Sequence, residues 1–427
     1  MNSNPRTILY WLGLTSVVIF ACAGIPAFGN NEPSPDDTPY GPQISLTEHQ
    51  TNVFEEILSR LEENYIYYES GQADWETLHQ TYLDEINKGL DDSEFTDLMT
   101  QFEGEFAEGE IIYVTRGERI EADTAANLAE YGGIGAFINF EAEQVPHVVI
   151  LDIIPGSPAE KAGLRAHDSV FAVDGSPVLL EEGGDVVLRI RGEAGTKVTL
   201  TVQTPGEDQR EVEITRARIN GITNLQVDEL PNTDIGYMRI PTVGTTSLAD
   251  EVAAALDEFS KNSEFKGVII DLRIAGPNSN FPLEEMLMLF LDGTKIDIFS
   301  RTENETFQVE GQDLFGSQDM PIALLVGEHT SGLSEIFAAA VQESARGVVI
   351  GSNTAGSIEA FSAFQLSNGG QILIASASYR IGGSQELGVS GLKPEVRVEA
   401  RWDEISPTSD PVIQQAIESI EALEVQE

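Results

Sequence analysis

The stretch Thr330-Ser331-Gly332-Leu333-Ser334-Glu335 sets two hydroxyls at a turn that leads into an apolar helical pattern (Ile336, Phe337, Ala338 to Ala340, Val341). Such a turn suits a nucleophile, because the first N–H groups of a helix have no internal partner and can hold an oxyanion. A hydroxyl also needs a base to take its proton, usually His or Lys. No Lys occurs between Lys295 and Lys393. His329 is the near candidate base for Ser331 or Ser334, but nothing in the sequence orients it, and a lone His at a strand end reads as structural. Both serines read first as helix-terminal hydroxyls capping backbone N–H groups, and second as fallback nucleophiles. Ser357 reads as a turn residue. Asp271 and Arg273 read as strand-end contacts before an acid and a substrate clamp.

Composition bounds what these residues can serve. The chain has 427 residues, 41% of them hydrophobic, which is enough core for two or three domains. Its formal charge is −47, from 71 acids against 24 bases. That surface repels nucleic acid and anionic lipid, and excludes both as partners. Five scattered His and one Cys offer no metal-ligand spacing, and no glycine-rich phosphate loop joins a strand to a helix. No metal and no cofactor is expected.

The single cysteine, Cys22, lies in an apolar run that follows Arg6 and extends from Ile8 through Ala21. Residues 1–29 read as an export signal or membrane anchor. Ile19-Phe20-Ala21-Cys22 resembles a lipobox, which makes Cys22 a candidate lipidation site; uncleaved, the run is long enough to span a bilayer. Each alternative puts the protein outside the cytoplasm, touching the membrane only through its N-terminus. Residues 30–45 form a polar, proline-rich linker.

The elements that position the chemistry follow. Residues 46–130 read as helical, with Val53, Ile57, Leu58 and Leu61 at helical spacing. Residues 131–219 turn to short β-patterned runs and glycine turns, such as Val148-Val149-Ile150-Leu151 and Asp174-Gly175. Residues 220–408 alternate strand and helix, the mark of an α/β core. Helices are expected over Ser247 to Phe259, Leu283 to Leu291 and Leu333 to Ser344, and a hairpin turns at Asn368-Gly369-Gly370. Residues 409–427 end in a helix.

Specific phrases then carry a resemblance. Tyr131-Gly132-Gly133-Ile134-Gly135-Ala136 and Pro155-Gly156-Ser157-Pro158-Ala159-Glu160-Lys161-Ala162-Gly163-Leu164 resemble a PDZ domain. Ile270-Asp271-Leu272-Arg273, Ser334-Glu335-Ile336 and Gly391-Leu392-Lys393-Pro394-Glu395 follow in the order of the carboxy-terminal processing (tail-specific) serine peptidases. The resemblance implies a crotonase-like α/β core, a PDZ domain of mainly β structure with short helices, and a helical N-terminal region. It implies that the backbone N–H groups of Ile134, Gly135 and Ala136 bind a peptide carboxylate, with the peptide added as a strand.

The same resemblance implies a Ser–Lys dyad and an assisting Gln. At the matching positions stand Gly332, Ser357 and Phe361. The oxyanion stretch is matched by Ile274-Ala275-Gly276-Pro277-Asn278, and the base of a related branch by Phe102-Glu103-Gly104-Glu105-Phe106, which has no His. A Ser–Lys mechanism needs a desolvated Lys, and none is nearby. The expectation is a pseudopeptidase that binds polypeptide C-termini, unfolded segments or an active peptidase partner. The alternatives are a serine endopeptidase rearranged around Ser334 or Ser331, and a structural envelope protein that assembles through its PDZ domain.

Overall fold

A computed structural model describes residues 44–70, 73–107, 109–120, 131–141, 145–382, 390–406 and 409–424. The expected signal or anchor, Cys22 and nearly all of the 30–45 linker lie outside the described residues.

Three amphipathic helices come first: α1 (Leu46–Asn64), α2 (Trp75–Ile86) and α3 (Asp92–Glu103). Each starts at a side-chain cap, from Ser45, Asp74 and Asp91 respectively. Their buried faces meet around Phe54, Tyr82, Met99 and Phe102. The region is not helical throughout, because β1 (Ile111–Val114) pairs with a strand of the core more than 250 residues later. Ile111 joins Ile372 and Ile374 in the cluster under the helices, so this region shares its core with the C-terminal half.

The second unit contains β2 (Tyr131–Gly133), β3 (Ala136–Phe140), β4 (Val148–Ile153), α4 (Pro158–Lys161), β5 (Ser169–Val173), β6 (Ser176–Pro177), α5 (Val186–Ile190), β7 (Lys197–Gln203), β8 (Arg210–Thr215) and β9 (Ala217–Ile219). Its sheet runs β3-β4-β5-β7-β8, with β6 on β5. Entry and exit are tied together by the pair β2–β9.

The core follows as β10 (Gln226–Glu229), β11 (Ile235–Arg239), α6 (Leu248–Phe259), β12 (Gly267–Asp271), α7 (Leu283–Phe290), β13 (Lys295–Ser300), β14 (Asn304–Gln308), β15 (Ile322–Val326), α8 (Leu333–Glu343), β16 (Val348–Gly351), β17 (Ala360–Gln365), β18 (Gln371–Ile381), β19 (Val396–Arg397) and α9 (Pro411–Glu424). The main sheet runs β10-β11-β12-β15-β16-β19 and is parallel except at β10. Period-two alternation buries both faces. Val268 and Ile270 of β12, with Leu324 and Val326 of β15, face α6, α7 and α8. Ile269, Ala323 and Leu325 face α9. A second, antiparallel sheet joins β1, β18, β13 and β14, with β17 on β18.

Trp402 locks the two units together. Its Nε1 donates to the carbonyl of Ile150 on β4 at 3.0 Å, and His167 Nδ1 donates to its own carbonyl at 2.8 Å. Burial holds the His167 imidazole down to about 4, so it stays neutral there. The indole packs with Phe137, Leu151, Ile219, Ile274 and Ile405, and the Arg273 guanidinium lies 5.3 Å from its centre. Arg239 on β11 adds an ion pair to Asp152 on β4 at 2.7 Å.

Trp402→Ala is therefore expected to lose about 3–5 kcal/mol, as for deletion of a buried aromatic ring. Trp402→Phe is expected to lose less, chiefly the indole hydrogen bond of about 1 kcal/mol. Urea unfolding of both variants checks this, and a Trp402→Phe variant as stable as the parent would assign no role to the indole N–H.

Candidate active site and peptide groove

The turn after β15 is built by Thr330, which is fully buried. Its Oγ1 donates to Leu272 O at 2.8 Å and accepts from Gly327 N at 3.0 Å. Ser331 N–H donates to Ala275 O at 3.1 Å. Gly332 is the N-cap of α8, with φ 65° and ψ −133°. That backbone lies in a region nearly closed to side-chain-bearing residues. A Cβ there would meet no atom within 4 Å, so the position opens into free space.

Gly332 N–H donates to Ser357 O at 2.8 Å. The two positions that the resemblance assigns to nucleophile and base are thus adjacent in space, with no side chain on the first and a hydroxyl in place of an amine on the second. Phe361 lies half-buried on β17 opposite Ala375.

Glu335 holds this arrangement. It is completely buried, and its carboxylate accepts from Thr354 Oγ1 at 2.5 Å, Gly356 N at 3.0 Å and Ser357 N at 3.2 Å. Burial raises its pKa, and these donors oppose the rise. Thr354 Oγ1 in turn accepts from Leu392 N at 2.7 Å.

Ser334 does not cap N–H groups. Its Oγ is sealed in the core and donates to the carbonyls of Ala275 at 2.7 Å and Ser331 at 2.9 Å. Its proton is held by carbonyls, and among the described residues no base hydrogen-bonds to it. Ser331 is half-buried at the cleft, with its Oγ 3.5 Å from where a Cβ of Gly276 would stand. His329 Nε2 is shut off from water and has no hydrogen-bond partner among the described residues. It points toward Glu328, at 3.8 Å, rather than to either serine.

Asp271 and Arg273 form a buried strut. Arg273 donates to Asp271 Oδ1 at 3.0 Å and Oδ2 at 2.7 Å, and pairs with Asp410 at 2.8 Å. Tyr237 OH donates to Asp271 at 2.7 Å. Asp410 also caps α9 through Val412 N and Ile413 N. These charges are consumed by one another and leave no free acid or clamp.

The peptide groove is a second, separate arrangement. Gly135 has φ 82°, and a Cβ on it would fall 2.4 Å from that of Ser157, so only glycine fits. The carbonyls of Ile134 and Gly135 face inward, accepting from Ala159 N and Ile154 N. Their N–H groups donate to no acceptor among the described residues. β3 follows as an open edge of its sheet. Glu141 N donates to His147 O, so strand alternation turns the N–H groups of Ile138 and Phe140 to that free edge. Leu179, Leu180 and Leu188, on and beside the helical segment 180–190 that flanks β3, are about half exposed or more, at 53%, 50% and 69%. The result is a strand-accepting edge with an apolar wall and inward-facing carbonyls at its head.

Two features escape the sequence reading. Glu335 is recognisable there only as a helix-opening acid, since its donors come from residues 354–357. No spacing in the sequence joins Glu141, Glu328 and His329, which the fold brings together with ligand atoms within 4.8 Å of one another. Burial first, then Glu328 and Asp403, push the Glu141 carboxyl up to about 7.

Comparison with known proteins agrees with this anatomy. Residues 234–398 match peptidase family S41, residues 149–204 a PDZ domain and residues 47–104 the Tricorn protease C1 domain. The carboxyl-terminal-processing protease of Picosynechococcus sp. is 29% identical over 346 residues, 75% of this chain and 80% of that protein. Carboxy-terminal processing protease CtpA of Bacillus subtilis is 30% identical over 274 residues, 64% of this chain and 57% of that protein. The photosystem II D1 C-terminal processing protease superposes with a TM-score of 0.59 at 22% identity, over 86% of this chain and 96% of that one, a likeness of fold.

Glu335→Gln replaces an acceptor of three hydrogen bonds with an amide whose NH₂ faces donors. It is expected to cost about 2–3 kcal/mol, the range for hydrogen bonds to a charged group. Hydrogen exchange at Gly356 and Ser357 is expected to speed up. A variant within about 0.5 kcal/mol of the parent, the scatter of ordinary surface substitutions, would show that the carboxylate does not hold this loop.

Proposed function

We propose, on the premise that this chain is a homologue of the carboxyl-terminal-processing proteases with a family S41 core and a PDZ domain, that it binds polypeptide C-termini and does not cleave them. The observation that carries the reading is the pairing of Gly332 with Ser357: the backbone of a dyad without its side chains. A hydroxyl attacks a carbonyl only when a base takes its proton. Ser334 donates to two carbonyls, and His329 faces Glu328. No interaction here would raise the nucleophilicity of Ser331.

The groove needs no reactive side chain. A free carboxylate would accept from the N–H groups of Ile134 and Gly135, and the residues before it would add to the edge of β3. Ligands of this kind are polypeptide C-termini, including those of unfolded segments and of an active peptidase partner. The basic and apolar pattern from Arg6 to Ala21, with Cys22 behind it, supports an exported protein held at the membrane by its N-terminus.

Fluorescence anisotropy with a labelled apolar-ended peptide tests the binding half. The free-acid peptide is expected to bind at least about tenfold tighter than its amide, about 1.4 kcal/mol or more. Equal binding would remove the carboxylate loop from the reading, and no binding by either would favour a purely structural role. The catalytic half is tested by incubation with a serine-reactive phosphonate and a tail-tagged polypeptide. The expected result is no adduct and no cleavage; a stoichiometric adduct on Ser331 or Ser334 would overturn it.

A further inference from the structure

Glu141 directly follows β3, the strand that bears the open edge of the groove, whereas Glu328 and His329 lie in the turn between β15 and α8 of the core. These three residues come from two domains, and their ligand atoms meet within 4.8 Å. His329 Nε2 is buried and lacks a hydrogen-bond partner among the described residues, and it stands 3.8 Å from Glu328 Oε1. An imidazole nitrogen closed to water and unpartnered is costly unless something accepts or uses its lone pair. Two carboxylates beside it repel one another unless a cation lies between them.

We infer that Glu141, Glu328 and His329 form a binding site for a zinc-class divalent cation that clamps the PDZ domain to the peptidase-like core. The ligand set fits that class: one neutral imidazole nitrogen and two carboxylate oxygens suit zinc and its neighbours, whereas calcium and magnesium prefer all-oxygen shells. The spacing fits as well. Tetrahedral zinc at about 2.0–2.2 Å from each ligand sets neighbouring ligand atoms about 3.3 Å apart. The cluster reaches that spacing with its ligand atoms closing by about 1.5 Å at most, a change of the size that carboxylate rotamers supply. Water would complete the shell.

The clamp acts on the groove. Backbone bonds between Glu141 and His147 already fix the base of β3, with Glu141 N donating to His147 O at 2.7 Å. A cation would tie the same residue to the turn that carries Ser331 and Gly332. Groove and cleft would then move as one body when the cation is bound.

The site is tested on the full chain, stripped with a chelator, desalted and kept in excess magnesium to occupy the acidic surface. Calorimetric titration with zinc is expected to give one magnesium-resistant site per chain. Cobalt in its place is expected to give the visible absorption of a four-coordinate ion. His329→Ala and Glu141→Gln are each expected to weaken zinc binding about tenfold or more, the least that disturbing a metal shell costs. Glu328→Gln, at an exposed position, is expected to do the same without disturbing the fold, whereas Glu55→Gln on α1, which faces His79 of α2, leaves binding unchanged. Zinc is also expected to slow proteolysis between the PDZ domain and the core. No saturable zinc site above magnesium, or undiminished binding in Glu328→Gln and His329→Ala, would overturn the assignment.

Discussion

A buried carboxylate sets the geometry of the cleft. Glu335 has no water around it, so its oxygens must find donors inside the protein. They find them in Thr354 Oγ1 and the N–H groups of Gly356 and Ser357. That requirement draws the strand end after β16 against the first turn of α8. The contact Gly332 N to Ser357 O follows from it. None of these bonds uses the side chain at position 332 or 357. The contact between the two positions that the resemblance assigns to a dyad is thus maintained by backbone groups and by Glu335, not by the side chains at those positions.

A comparable separation operates between the domains. The Asp271–Arg273–Asp410 chain is buried and its charges are paired with one another, so removing any member would strand a charge in the core. Through Asp410 it fixes the start of α9, and through the Arg273 guanidinium it supports the ring of Trp402. Trp402 then reaches β4, the neighbour of the groove strand β3. The groove therefore has a rigid back and a free front edge, which suits an incoming strand.

Legibility in the sequence followed the range of the interactions. Helices α6, α7 and α8 announce themselves by their period and fall within one or two residues of expectation. The hairpin β13–β14 went unread, because Lys295, Asp297, Asn304 and Glu305 interrupt its apolar residues. Strand β1 falls in the region expected to be helical; its β-branched run Ile111-Ile112-Tyr113-Val114 is legible locally, but its partner in β18 is not. At the site, the glycines of the PDZ loop were legible because their need is steric and local. The true bonding of Ser334 was not. A hydroxyl near a helix start suggests a cap, and only the fold reveals that Ala275 O lies within reach. Glu141 and His329 are separated by most of two domains, so no spacing rule could join them.

Position 332 links stability to chemistry. Its φ of 65° with ψ −133° is open to glycine and strained for serine, by about 1–3 kcal/mol. Glycine releases that strain, and the helix start, the Ser357 contact and the Glu335 clamp are unaffected because they use only backbone and buried groups. On the proposed reading, giving up the nucleophile stabilises the scaffold. Such a chain would keep its rigid cleft and its groove, and what remains of a peptidase would be the part that recognises the end of another polypeptide.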